Sequence, residues 1–223
     1  MNTIKKINLW SVFLTLGILA GGSAAFGQEQ KAADESVLTA KFGIKGGINF
    51  ANLYVDNVQN ENIKLGGNIG FFAKLPIARG LSIQPEVLYT SKGSQLTYGN
   101  FIQGSGQYRF NLNYVEVPLL LVINLTRNFS LSAGGYAAYL TSANVKDVKS
   151  DGTINGVTYL NESDFNRFDY GLAGGLSIDI QRITLGARYN YGLQNIGKSG
   201  NLSGNLTENS KNSVTSIFIG FAF

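Results

Sequence analysis

Eight stretches of this chain alternate apolar and polar residues with a period of two, and the connections between them alternate in length. The stretches run Ala40–Tyr54, Lys64–Leu75, Leu81–Lys92, Asn111–Leu125, Phe129–Ala143, Asn166–Ile180, Ile183–Ile196 and Asn212–Phe223. Side chains on a strand point to opposite faces in turn, so this period marks strands with two unlike faces. The short connections are Pro76–Gly80, Thr126–Asn128 and Gln181–Arg182. The long ones are Val55–Ile63, Gly93–Phe110, Asn144–Phe165 and Gly197–Lys211, rich in Asn, Gly, Ser and Asp. Short turns on one side and long loops on the other are the pattern of a barrel that crosses an outer membrane. A soluble sandwich has no reason to sort its loops by side. The expected fold is all-β, an eight-stranded antiparallel up-and-down transmembrane β-barrel.

The front of the chain predicts export. Lys5 and Lys6 form a basic start, Leu9 to Ala20 a short apolar run, and Ala25-Phe-Gly27 a small-residue cleavage site. The apolar run is well short of the roughly 20 residues that a spanning helix needs. We therefore expect a cleaved signal peptide over 1–27, a periplasmic linker over 28–39 and a barrel domain over 40–223, located in the cell outer membrane. The chain has no cysteine, so neither a lipid-anchored cysteine nor a disulfide framework is available.

Charge argues the same way. Removing the leader would lower the formal charge from +4 to +2, too little to suggest a nucleic-acid partner. Charged residues make up only 14% of the chain, where a soluble surface wants about 25–35%. Sparse charge suits strands that face lipid.

The faces separate cleanly. In the seventh stretch Ile183, Leu185, Ala187, Tyr189, Tyr191 and Leu193 oppose Thr184, Gly186, Arg188 and Asn190. In the sixth, Phe168, Tyr170, Leu172, Leu176, Ile178 and Ile180 oppose Asp169, Ala173, Ser177 and Asp179, and in the fourth Val115, Val117, Leu119, Leu121 and Ile123 oppose Tyr114, Glu116 and Asn124. The apolar face is expected to meet lipid and the mixed face to fill the lumen. Tyr89, Tyr139, Tyr170 and Tyr191 fall near the long loops, and Phe129 and Phe223 at the other end, as two interfacial girdles would require.

Two features need separate explanations. The last stretch places Ile217, Ile219, Phe221 and Phe223 on one face, and we expect Phe221 and Phe223 to act as an assembly signal. Pro85 and Pro118 lie within strands, where each removes a ladder hydrogen bond. A β-bulge is expected at each.

Taken in order, several segments resemble the PorT-like outer-membrane β-barrel family of Bacteroidetes-type bacteria. They are Gly43-Ile-Lys-Gly-Gly-Ile-Asn-Phe-Ala-Asn-Leu53, Leu81-Ser-Ile-Gln-Pro-Glu-Val-Leu-Tyr-Thr-Ser-Lys-Gly93, Tyr114-Val-Glu-Val-Pro-Leu-Leu-Leu121, Gly134-Gly-Tyr-Ala-Ala-Tyr139 and Arg188-Tyr-Asn-Tyr-Gly-Leu193. The resemblance covers nearly all of the expected mature chain and makes both prolines family features. It implies fold and location first. The family's namesake belongs to a gliding and protein-secretion apparatus, which makes envelope or secretion proteins the implied partners, beside outer-membrane lipid and the barrel assembly machinery.

Catalytic chemistry is sparse. With no histidine and no cysteine, Ser-His-Asp and Cys-His catalysis and the usual zinc and haem ligand sets are excluded. No Gly-x-Gly-x-x-Gly opens a helix after a strand, so no dinucleotide site is expected, and no cofactor or metal is assigned. What stands out is charge on the inner face: Lys45, Lys74 and Arg188 against Glu86, Glu116, Asp169 and Asp179. Inward charges need partners, so these residues are expected to form a structural network filling the lumen, with Glu116 and Arg188 as a trial pair. Two other readings remain open. One is a small gated transport barrel with a charged lumen; the other is a lipid-modifying enzyme using Glu86 and Glu116 as an acid–base pair. In the third long loop, Ser150-Asp-Gly152 and Asn155-Gly156 read as a hairpin tip, with calcium binding by Asp147, Asp151 and Asp164 as a rival.

Overall fold

A computed structural model describes residues 39–55, 63–100, 104–149, 153–160, 165–197 and 210–223. The expected leader and nearly all of the linker lie outside these residues. The described strands are β1 (Lys41–Val55), β2 (Lys64–Ala78), β3 (Leu81–Lys92), β4 (Gln95–Asn100), β5 (Gly104–Asn124), β6 (Phe129–Lys149), β7 (Ile154–Tyr159), β8 (Phe168–Ile180), β9 (Ile183–Asn195) and β10 (Ser210–Ala222). Every pairing between them is antiparallel.

Eight of the strands close a ring in the order β1, β2, β3, β5, β6, β8, β9, β10, with β10 returning to β1 from Gly43↔Ala222 to Val55↔Ser210. Closure leaves the ring no unpaired edge, which is the condition for a sheet to stand in lipid. The residues facing outward are those the alternation predicts: Ile44, Ile48, Ile69, Phe71, Leu119, Leu172, Leu185 and Ile219 are all exposed. Strand β8, 13 residues long with a strictly alternating outward apolar set, would cover roughly 30 Å of membrane depth at a tilt of about 40°.

The remaining two strands correct the reading of the loops. β4 pairs with β5 from Gln95↔Arg109 to Asn100↔Gly104, and β7 pairs with β6 from Asn144↔Tyr159 to Val148↔Ile154. Much of what was expected to be loop in Gly93–Phe110 and Asn144–Phe165 is therefore sheet. β5 and β6 are each 21 residues long. With β4 and β7 flanking them, they carry a four-stranded sheet past the ring, by eight residues of β5 or about 25 Å along the strand. β4 continues β3 in the same register against β5. The break between them falls at Gly93 and Ser94; the Gly93 φ of 124° suits glycine, and a Cβ there would collide with the Phe110 carbonyl.

Of the short turns, the first is tighter than expected, the second begins one residue earlier, and the third falls at Gln181–Arg182 as expected. β2 runs on to Ala78, so the first turn is Arg79–Gly80, with Gly80 at φ 74°. In the second, Thr126 Oγ1 accepts from the Phe129 N–H at 2.9 Å. In the third, Gln181 takes φ 56°.

Neither proline carries the expected bulge. Phe72↔Glu86 and Leu75↔Ile83 keep one register across Pro85. The β3–β5 ladder likewise keeps its register from Leu81↔Ile123 to Lys92↔Leu112, and Pro118 pairs with Tyr136 in an undisturbed β6 ladder. A strand residue sends its N–H toward one neighbour only, so a proline removes one ladder bond without demanding an extra residue. In the ladders flanking these prolines the irregularities lie elsewhere, between Pro76 and Ala78 and opposite Asn113/Tyr114. At the second of these Thr141 is unpaired in the ladder, and its hydroxyl donates to the Asn113 carbonyl at 2.9 Å.

Candidate functional site

The inner face holds the chemistry, arranged in layers along the barrel axis. Nearest the long loops is an apolar cap in which Leu53, Leu112, Leu140, Phe165 and Ile196 are buried together. Phe165 and Ile196 come from outside the ring strands. They are held there by the Phe165↔Gly197 bridge and by hydrogen bonds of 2.8 Å from Asn166 N–H to Ile196 O and 2.9 Å from Ile196 N–H to Ser210 O.

Below the cap, Lys92 of β3 reaches into the lumen, with Nζ 2.7 Å from Glu116 Oε2 of β5 and 3.0 Å from Asp169 Oδ2 of β8. The ammonium also lies 4.3 Å from the centre of the Tyr136 ring and 5.1 Å from that of Tyr114, so the aromatic faces add to its stabilisation. Asp169 accepts from Asn212 Nδ2 at 2.9 Å and from the Tyr136 hydroxyl at 3.3 Å, and Glu116 accepts from Asn190 Nδ2 at 2.9 Å. One lysine thus pairs with two carboxylates, and amides and a phenol take up further lone pairs.

The next layer centres on Glu86 of β3. Arg188 of β9 donates to it twice, at 2.8 and 2.7 Å, Lys45 of β1 at 3.2 and 3.3 Å, and Gln84 at 2.7 Å. The Lys45 ammonium sits 3.6 Å above the Phe218 ring, with the Arg188 guanidinium 5.5 Å from the same ring. Room for that ring comes from Gly186, where a Cβ would run into it. Alongside, Asn49 donates to Thr90 at 2.8 Å and accepts from Asn68 at 2.6 Å and Ser216 at 2.7 Å. That cluster links β1, β2, β3 and β10.

At the short-turn end the lumen opens. Lys74 pairs with Asp179 at 2.9 Å and donates to Asn124 at 3.2 Å, and Thr184 donates to Asp179 at 2.6 Å. This pair is partly exposed, unlike the layers above it.

All seven charges singled out on the inner face do point inward, but they group differently from the trial pairing. Arg188 grips Glu86, whereas Glu116 takes Lys92 and Asn190. Glu86 and Glu116 therefore belong to separate layers, each matched to cations, and neither forms an isolated acid pair. Sequence reasoning missed Lys92 and Lys64. Parity alone places Lys92 with Glu86 on β3, and Lys64 with Asn68 on β2. Lys64 Nζ donates to the Lys92 carbonyl at 2.8 Å and to Ser91 Oγ at 3.0 Å. Of the proposed calcium ligands, Asp151 and Asp164 lie outside the described residues. Asp147 accepts from Asn155 at 3.1 Å, and no cluster of three acidic side chains suited to a metal occurs among the described residues.

A closed antiparallel ring with an apolar outer face and a charge-paired interior defines a transmembrane β-barrel. Residues 26–197 match the model of the outer membrane protein beta-barrel domain family. The chain belongs to that family and is a protein of the outer membrane. Its backbone is similar to those of Neisserial surface protein A (12% identity, TM-score 0.47, 83% of this chain and 99% of that one) and Ail of Yersinia pestis (14%, 0.44, 82% and 99%). OprG from Pseudomonas aeruginosa is also similar (15% identity, TM-score 0.39, 82% of this chain and 96% of that one). No curated protein matches the chain in sequence.

Proposed function

We propose that this barrel is a non-enzymatic structural or protein-interaction component of the outer membrane, of the PorT-like kind. The observation that supports this most is the lumen itself. Between the apolar cap and the short-turn mouth, two ion-paired layers tie β3 to β1, β5, β8 and β9. Opening a path would strip paired charges of their partners, and breaking such a pair costs about 3–5 kcal/mol in a dry site. The same pairing argues against acid–base work by Glu86 and Glu116, since a general acid or base needs access to substrate.

With the lumen filled, the surfaces available to partners are the four-stranded extension at the long-loop end and the short turns, the latter if the barrel serves a secretion machine. Outer-membrane lipid surrounds the outer face, and the barrel assembly machinery is the partner that would insert it. Reconstituted protein should show no conductance steps in planar bilayers. Stepwise conductance would favour the transport reading, and turnover of defined lipids would favour the enzyme reading. Capture from native membranes with and without residues 96–108 should show whether envelope or secretion proteins depend on the extension.

A further inference from the structure

The two ends of the lumen are unlike. The long-loop end is closed by apolar side chains, but the short-turn end is a small vestibule of about 30 Å³ open to solvent, and its charge is one-sided. Lys41, Lys45, Lys74, Arg182 and Arg188 line it. The anionic groups set against these five cations are Asp179 on the wall, Glu86 above it and the one uncompensated carboxylate of the layer beyond, where Lys92 faces both Glu116 and Asp169. Two positive charges are left over.

The donors are also incompletely used. Arg188 commits Nη1 and Nη2 to Glu86, while its buried Nε–H makes no hydrogen bond within the protein. Lys45 bonds only to the same carboxylate, through an ammonium that carries three protons. Lys41 and Arg182 stand exposed at the mouth, and the Gln84 amide, one of whose two protons goes to Glu86, also lines the wall.

We infer that the short-turn vestibule is a binding site for a doubly charged oxyanion of the phosphate type. An anion of charge −2 would balance the local excess, and its several oxygens would accept from donors on different strands. Charge-assisted N–H···O contacts of this kind are the strong ones. Chloride, with one charge and no directional acceptors spread over several oxygens, fits poorly. The pocket opens on the side of the short turns, so its ligand would come from the periplasm.

The test is calorimetric titration of the full-length barrel in detergent with inorganic phosphate, at an ionic strength fixed by chloride. Saturable binding is expected. It should weaken by about tenfold or more in Lys41→Gln/Arg182→Gln, which removes two charged donors from the rim. Both residues are exposed, and heat-modifiable mobility would show that the variant is folded. Lys149→Gln, at the opposite end, should bind as the parent does. Absence of saturable binding, equal binding by the rim variant, or equal competition by chloride at matched concentration would each overturn the site.

Discussion

Arg188 and Glu86 face each other from opposite walls of the barrel, joined by two parallel hydrogen bonds of 2.8 and 2.7 Å. In the ring, four steps separate β9 from β3 in either direction, so this one pair spans the full width of the lumen. Fork geometry of this kind fixes orientation as well as charge.

Glu86→Gln should be the most damaging single change in that layer, because it leaves both Arg188 and Lys45 without a carboxylate. A loss of about 3–5 kcal/mol is expected if the layer is dry. Arg188→Gln should be milder, since Lys45 still neutralises Glu86. The double variant should lose less than the sum of the singles, whereas Glu116→Gln with Arg188→Gln should be close to additive. Urea unfolding in lipid vesicles, read by tyrosine fluorescence or heat-modifiable mobility, measures all of these.

Lys92 serves Glu116 and Asp169 together. Lys92→Gln should therefore destabilise by about 3–5 kcal/mol, more than Lys45→Gln, whose carboxylate keeps Arg188. Equal losses for the two lysines in the same unfolding assay would show that the layers are not separate units.

Gly186→Ala tests the packing beneath the charges. The added methyl meets the Phe218 ring that lies under Lys45, and overpacking of this kind costs about 1–3 kcal/mol. Pairing it with Phe218→Leu should recover part of the loss, because the smaller side chain vacates the contested space.

Topology can be checked by labelling, helped by the absence of native cysteine. Tyr159, 80% exposed on β7, should react as Tyr159→Cys with an impermeant reagent on intact cells. Arg79→Cys, in a short turn, should not. The opposite pattern would invert the barrel.

Phe223 is 71% exposed and lies edge-on to Phe221 at 6.2 Å. Removing it, or changing it to Asp, is expected to impair insertion while leaving the lumen layers unchanged in composition. Normal yield and normal heat-modifiable mobility of the truncated chain would exclude an assembly role for this residue.

Parity made the inner and outer faces legible, because a period of two assigns every residue of a strand once any one is placed. It could not give partners across the lumen, since those depend on which strands stand opposite and how far each is displaced along the axis. Hence Arg188 was matched with Glu116 and not with Glu86. Lys92 escaped notice because it ends its segment, where alternation blends into loop composition. β4 and β7 were read as loop for a related reason. All six residues of β7 are exposed, so the strand has no apolar face to reveal it. The prolines misled in the other direction: a lost N–H suggested a bulge, yet the ladders run past both residues in register.

The seam between β1 and β10 has a kinetic consequence. Gly43 must find Ala222, near the far end of the chain, whereas the other seven joints of the ring link strands adjacent or nearly adjacent in sequence. Contacts of such long range form slowly, since the intervening chain must be ordered first. Until they form, the first strand waits with one edge bare. A newly made barrel of this kind is most vulnerable to wrong pairing at that edge, and a chaperone or insertase that covers it would govern how fast the protein matures.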